Sequence, residues 1–538
     1  MSDTITSSTI RALPESIGLN TSSLFIFLAT CGGVALLLTQ FGGSVSEGTA
    51  AQQTLRDPIP GLYNTLQFMF NNYKFMTRVQ AALQRSRAGV LRFSLGPKAV
   101  YLVAGQQNIR TVFSRDLVHD ITNQEQMTRY ALPTLYKMNA SEVRRWEADR
   151  SGVTKTPISG TEDVPSRQRL WYNYEHIYAE YLGRPQYMRP LIELYNQNLD
   201  RLLDLYPWGN GTLVNTLFGP RLVELSPDFV DRLWAFDEQV FQLVMGLPKW
   251  LNAKPAKAHD AYVSAIERWL GDVSAGFDWK AAEADWEPRF GGRAVRELYR
   301  WMKETDWRDE VIAATLGALA FALKSNSIPT TTWMLMEIIR DPSLLRAVRE
   351  EVATATETDP ATGKPILDNQ KLVALPLLQS ICTETLRLRI NFNIMRDVKQ
   401  PVVLDNGATT VAPGSLLQMP MMVAHYDEAA WGAAGHPASE FWAERHIRYV
   451  DEPEAAGRVR KFAMAGHPTA WFPFGGGANV CPGRQLAKYE IFTTIATIVS
   501  RFDLEVVAWT KADGSTSPRA AESDLRYCGG GPCPQIGT

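Results

Sequence analysis

The stretch Phe472-Pro473-Phe474-Gly475-Gly476-Gly477-Ala478-Asn479-Val480-Cys481-Pro482-Gly483-Arg484 decides how this chain is read, together with the helical pattern of Gln485–Arg501 behind it. Three consecutive glycines let backbone N–H groups approach a central atom that side chains would otherwise block. Pro482 suits the first turn of a helix, where its missing N–H has no intrahelical partner. The pattern therefore puts Cys481 at a helix N-terminus. There the dipole and free N–H groups favour an anion and lower a thiol pKa. Such a thiolate serves as a nucleophile, a redox sensor or a metal ligand. A nucleophile would usually need a histidine base, and none of the seven histidines lies in this loop.

Working outward, Glu384-Thr385-Leu386-Arg387 lies on a helical pattern, and its i, i+3 spacing puts carboxylate and guanidinium on one face. By itself this is as readily a surface ion pair. Phe441-Trp442-Ala443-Glu444-Arg445-His446 follows, and Arg396 ends the strand-like Asn391–Arg396. Further upstream, Asp309 to Arg340 is a long, mainly apolar helical run, interrupted at Ser325-Asn326-Ser327-Ile328-Pro329, where proline removes a helical hydrogen bond. Leu91–Leu95 and Ala99–Val103 flank Gly96-Pro97 as a hairpin, and Val402 to Met419 reads as short strands. Ser343 to Thr354 and Leu377 to Leu388 read as helices, and Ser151 to Ser166 as a surface loop. The fold class is α+β, predominantly helical, with a long central helix and small β-sheets.

These motifs, in this order, resemble the cytochrome P-450 family of heme-thiolate monooxygenases over roughly residue 55 to the end. Phe474, Gly477, Cys481 and Gly483 match its pattern F-x-x-G-x-R-x-C-x-G. The resemblance implies heme b (iron protoporphyrin IX), with Cys481 as axial ligand and Phe474, Gly477 and Gly483 shaping the loop. Asn479 stands where the family has a basic residue holding a heme propionate, so that partner must come from elsewhere. Arg396 matches a propionate-binding position. Glu384, Arg387 and Arg445 resemble the family's structural triad, with Ala443 replacing its usual proline. Trp146-x-x-x-Arg150 has the spacing of a propionate motif, but the helix around Trp171 to Tyr181 competes for that place. Arg526–Pro532 resembles the glycine-rich turn lining the substrate pocket.

Asn326 and Ser327 fall where the family carries an acid–hydroxyl pair that feeds protons to dioxygen. Asparagine there, like the uncharged residue before the cysteine, is similar to the steroid 7α-hydroxylase and prostacyclin synthase branch. A hydroxyl at 327 keeps a proton-relay group and favours oxygenation over a heme-thiolate isomerase or dehydratase working without reductase. A heme-thiolate sensor or electron carrier would share the loop without needing a pocket. The branch implies a large apolar substrate: a steroid, terpenoid or other polycyclic natural product.

Bulk properties agree. The chain has 538 residues, 45% apolar and 10% aromatic, enough for a large core. A net charge of −2 argues against nucleic acid as a partner. Five cysteines in so long a chain are no disulfide framework. After a lead of residues 1–23, residues 24–41 carry no charge and read as a transmembrane anchor rather than a cleaved signal peptide. A linker of residues 42–56 leads to a catalytic domain of residues 57–538. The resemblance then implies a single-pass protein of the endoplasmic reticulum membrane, in contact with lipid, its catalytic domain facing the cytosol. Electrons would come from NADPH-cytochrome P-450 reductase, with cytochrome b5 as a second donor. The basic residues Arg458, Arg460, Lys461, Arg484 and Lys488 offer either a docking face or a solvated charge run.

Overall fold

The computed structural model describes residues 53–86, 88–204, 212–244, 252–279, 284–358, 360, 365–452, 457–465, 468–510 and 515–518. The expected anchor at 24–41, Cys31, the glycine-rich 526–532 turn, Cys528 and Cys533 lie outside them.

Helices dominate, and six of them position the site: α1 (Leu170–Tyr181), α2 (Phe229–Asp237), α3 (Ala253–Ser274), α4 (Asp309–Ile339), α5 (Pro376–Arg389) and α6 (Arg484–Arg501). α4 opens with Asp309 and Glu310, acidic side chains that suit the positive end of the helix dipole. It is apolar almost all round, which marks a helix enclosed on every side. By length and composition it could cross a membrane, but 67% of its most apolar window is buried, so here it is a core helix. α5 begins on Pro376, a favoured first residue.

The largest sheet has five strands: β1 (Val90–Leu95), β2 (Lys98–Val103), β3 (Ile121–Thr122), β4 (Asn393–Val398) and β5 (Leu416–Pro420), in the order β1-β2-β5-β4-β3. β1 and β2 form the expected antiparallel hairpin, closed through Gly96 at φ +56°. β5 runs parallel to β2, with Leu417 opposite Tyr101, and antiparallel to β4, with Leu417 opposite Arg396. That register fixes Arg396 in an interior strand.

Two hydrophobic clusters make up most of the core. One joins α1, α2, α3 and the first half of α4 through Ala320. The other joins the sheet, α5, α6 and the end of α4 from Met334. α4 crosses between them, and its 324–330 segment lies at the junction. The cysteine loop crosses the same junction, with Phe472 in the second cluster and Leu486 in the first.

One expectation is corrected here. α4 runs without interruption through Pro329. Proline removes only the N–H that would have met the Ser325 carbonyl. The hydroxyls of Ser327, Thr330, Thr331 and Thr332 each donate to the carbonyl four residues earlier, at 2.6–3.0 Å, and dense packing on both sides of the junction holds the helix together.

Candidate functional site

Cys481 sits at the end of a tight loop. Its N–H donates to the Phe474 carbonyl at 2.8 Å, and the Gly475 N–H to the Phe472 carbonyl at 2.9 Å. Gly475 and Gly477 have φ of +72° and +69°, a left-handed conformation that glycine adopts without penalty. A Cβ on Gly476 would lie 2.4 Å from the Phe113 ring. The three glycines therefore serve a turn and a close aromatic approach. Gly483 is the N-cap of α6, so Pro482 lies just before the helix rather than within its first turn.

The thiol corrects the expected pKa. Burial pushes Cys481 up, and the backbone N–H groups of Gly483 and Arg484 and the Arg484 charge pull it back only in part. A raised thiol is a poor nucleophile at neutral pH. Metal coordination deprotonates a thiol outright, and two backbone donors are then in place to temper the charge on sulfur. His425, whose Nε2 accepts from the Phe472 N–H, is pushed down to about 3 by burial and its Nδ1 faces the Arg387 carbonyl, so it is a packing residue. The donor set fits a heme iron: one sulfur and backbone N–H groups, in a loop whose Phe474 carbonyl holds the Cys481 N–H and whose Phe474 ring packs on the second core.

Arg396 is buried, and the hydrogen bond of its guanidinium is to the Met395 carbonyl at 2.8 Å. Burial lowers its pKa to about 10, against the attraction of Glu175 and Asp397, and it stays charged. A charged guanidinium held in the interior fits a cofactor carboxylate. Asn479 faces the same region, and its Nδ2 donates to Glu175 Oε1 at 3.2 Å. Glu175 lies on α1 and is raised by burial, against Asn479 and Arg396. α1 therefore occupies the place contested in sequence. Trp146 is buried against Trp171, Tyr174 and Trp307, and Arg150 is exposed. Sequence reasoning missed Glu175 and the neighbouring phenols, Tyr136 and Tyr174, whose hydroxyls meet at 2.5 Å. The available signal was a lone carboxylate inside the aromatic run Trp171–Tyr178.

On α4, Ser327 is buried and donates to the Leu323 carbonyl at 2.6 Å, with Glu490 of α6 close enough to feel its hydroxyl. Burial pushes Glu490 up to about 8, with Ser327 lowering it, and its buried Oε1 has no hydrogen-bond partner. A buried acid thus lies near the hydroxyl that follows Asn326. Glu490 was not foreseen, since one glutamate in a helix after a cysteine loop carries no local signal.

Glu384, Arg387 and Arg445 come together in a fully buried cluster. Arg387 grips both oxygens of Glu384 at 2.8 Å, and Arg445 Nε reaches Oε1 at 2.8 Å. Arg387 also donates to the His425 and Ala438 carbonyls, and Arg445 to those of Trp431, Pro437 and Glu440. Burial raises Glu384, but Arg387, His446 and Arg445 outweigh it and hold the carboxyl at about 2.

The family model described as Cytochrome P450 matches residues 293–516. The chain is 38% identical over 487 residues to the cytochrome P450 monooxygenase calL of Penicillium decumbens, covering 87% of this chain and 88% of that one. It is 27% identical to the cytochrome P450 monooxygenase fsoE of Humicola fuscoatra, over 84% and 82% of the two chains. It is 32% identical to the cholesterol 7-alpha-monooxygenase of Cricetulus griseus over 204 residues, or 36% and 39% of the two chains.

Proposed function

Since this chain belongs to the cytochrome P450 family as a heme-thiolate monooxygenase, we propose that it oxidises a large apolar natural product, of steroid, terpenoid or similar polycyclic class, with electrons from an NADPH-dependent reductase. The observation that carries this reading is the junction of the two cores. The cysteine loop and the polar 324–330 turn of α4 cross there, with apolar α2 and α3 alongside. Heme b, when bound through Cys481, supplies dioxygen activation.

The chain's own residues supply the rest. Gly483 and Arg484 direct N–H groups at the sulfur. Arg396 holds a cofactor carboxylate, and Asn479 orients Glu175 beside it instead of binding the carboxylate directly. Ser327 presents a hydroxyl able to pass a proton, while Asn326 offers an amide in place of an acid. Glu384, Arg387 and Arg445 are positioning residues that lock the segments around α5. The relative named for cholesterol 7-alpha oxidation supports a polycyclic substrate.

Residues 24–41 anchor the protein in the endoplasmic reticulum membrane in this reading, and a chain lacking residues 1–52 should move to the soluble fraction. The functional test is reconstitution with NADPH-cytochrome P-450 reductase and a panel of polycyclic substrates. Oxygenated product that requires both NADPH and reductase supports the reading, and Ser327→Ala should consume NADPH while forming less product. Turnover of a peroxide with no reductase present would favour an isomerase.

A further inference from the structure

Three successive residues of α4, Lys324, Ser325 and Asn326, each bury a side-chain polar atom that has no hydrogen-bond partner. The lysine is the most costly of them. It is 2% exposed, and its Nζ has no carboxylate partner among the described residues. The Trp234 ring of α2 is 5.7 Å away. A cation–π contact at that range returns only part of what desolvating an ammonium costs. Asp237, one turn beyond Trp234, does not fill the gap. It is pushed up to about 6 by burial and Glu238, and burial alone pushes Lys324 down.

A buried cation without a counter-charge persists in a protein when something other than the fold repays it. Lys324 is one helical turn before Ser327, at the junction between the cores, so what repays it is bound beside that turn. We propose that Lys324 anchors a carboxylate of the substrate, so that this monooxygenase takes an apolar acid, with Trp234 alongside the carboxylate end. The proposal deepens the functional reading above and rests on it.

The test uses the heme-loaded full chain and calorimetric titration with polycyclic acids, cholanic and abietic, and with the saturated acids from decanoic to hexadecanoic, each against its methyl ester. The best-bound acid should bind about tenfold or more tightly than its ester, the scale of a charged hydrogen bond. Lys324→Met should abolish that preference and leave ester binding unchanged. Without ligand this variant should melt higher than the wild type, since an unpaired buried charge gives way to an apolar chain of similar length. If Lys324→Met fails to fold, Lys324→Gln serves in its place. Equal affinity for acid and ester, no binding of any probe, or a preference that survives the substitution would overturn the proposal. The carbon monoxide spectrum of the same samples separates the two readings. A normal thiolate band with no acid preference removes the Lys324 anchor alone, whereas its absence in the wild type removes the site itself.

Discussion

Glu490 and Glu384 are both buried carboxylates, yet their surroundings drive them in opposite directions. Glu384 is surrounded by two guanidiniums and held at about 2, while Glu490 has no charged partner and is pushed up to about 8 by burial. For Glu490 the folded state keeps a proton that the unfolded chain releases near its ordinary value of 4.5. Between pH 4.5 and 8 the native state therefore binds more protons, and stability falls as pH rises. Glu490→Gln should remove that slope: its melting temperature should match the wild type near pH 5 and exceed it at pH 8. An unchanged slope in the variant would mean that Glu490 is ionised in the fold. Glu384 has the opposite sign, contributing above pH 4.5 and losing that contribution as pH falls towards 2. Neither behaviour is legible in the sequence. The i, i+3 spacing of Glu384 and Arg387 suits a solvated pair equally well, and burial is what makes them different.

α4 and α5 show what local patterns reveal and where packing overrides them. The Ser325–Pro329 run signals a break in the long helix, and the helix continues all the same, because packing at the junction of two cores outweighs one lost hydrogen bond. Pro329→Ala restores an N–H for the Ser325 carbonyl and should raise stability by about 1–3 kcal/mol in urea unfolding; a decrease would mean that the ring itself is needed for packing. The bounds of α5 and of the hairpin were legible to within a residue or two, since a first-turn proline and a glycine turn are local signals. The tie between α5 and the Trp442–Arg445 segment was legible only through a motif. Arg445→Leu strips one guanidinium from the buried cluster and frees the four backbone carbonyls of Trp431, His436, Pro437 and Glu440. It should cost about 3–5 kcal/mol and lower the yield of heme-loaded protein; a loss within the range of surface substitutions would show the cluster to be dispensable.

At the scale of the molecule, the sequence held the cysteine loop and the helical class in plain view, because both are written in contiguous residues. The contacts that complete the site span the chain: Asn479 meets Glu175 across 304 positions, and Glu490 of α6 lies near Ser327 of α4. No periodicity or spacing in one sequence encodes such a meeting, which depends on how two hydrophobic clusters share α4. The shared junction also explains why the polar turn of α4 and the cysteine loop lie together. All of it depends on sulfur from Cys481 binding the heme iron. The decisive measurement is the absorption spectrum of the reduced, carbon monoxide-bound protein, wild type against Cys481→Ala. The wild type should show the red-shifted band of a thiolate-ligated heme, and Cys481→Ala should lose it together with most of the pigment. The same band at the same intensity in Cys481→Ala would contradict the assignment.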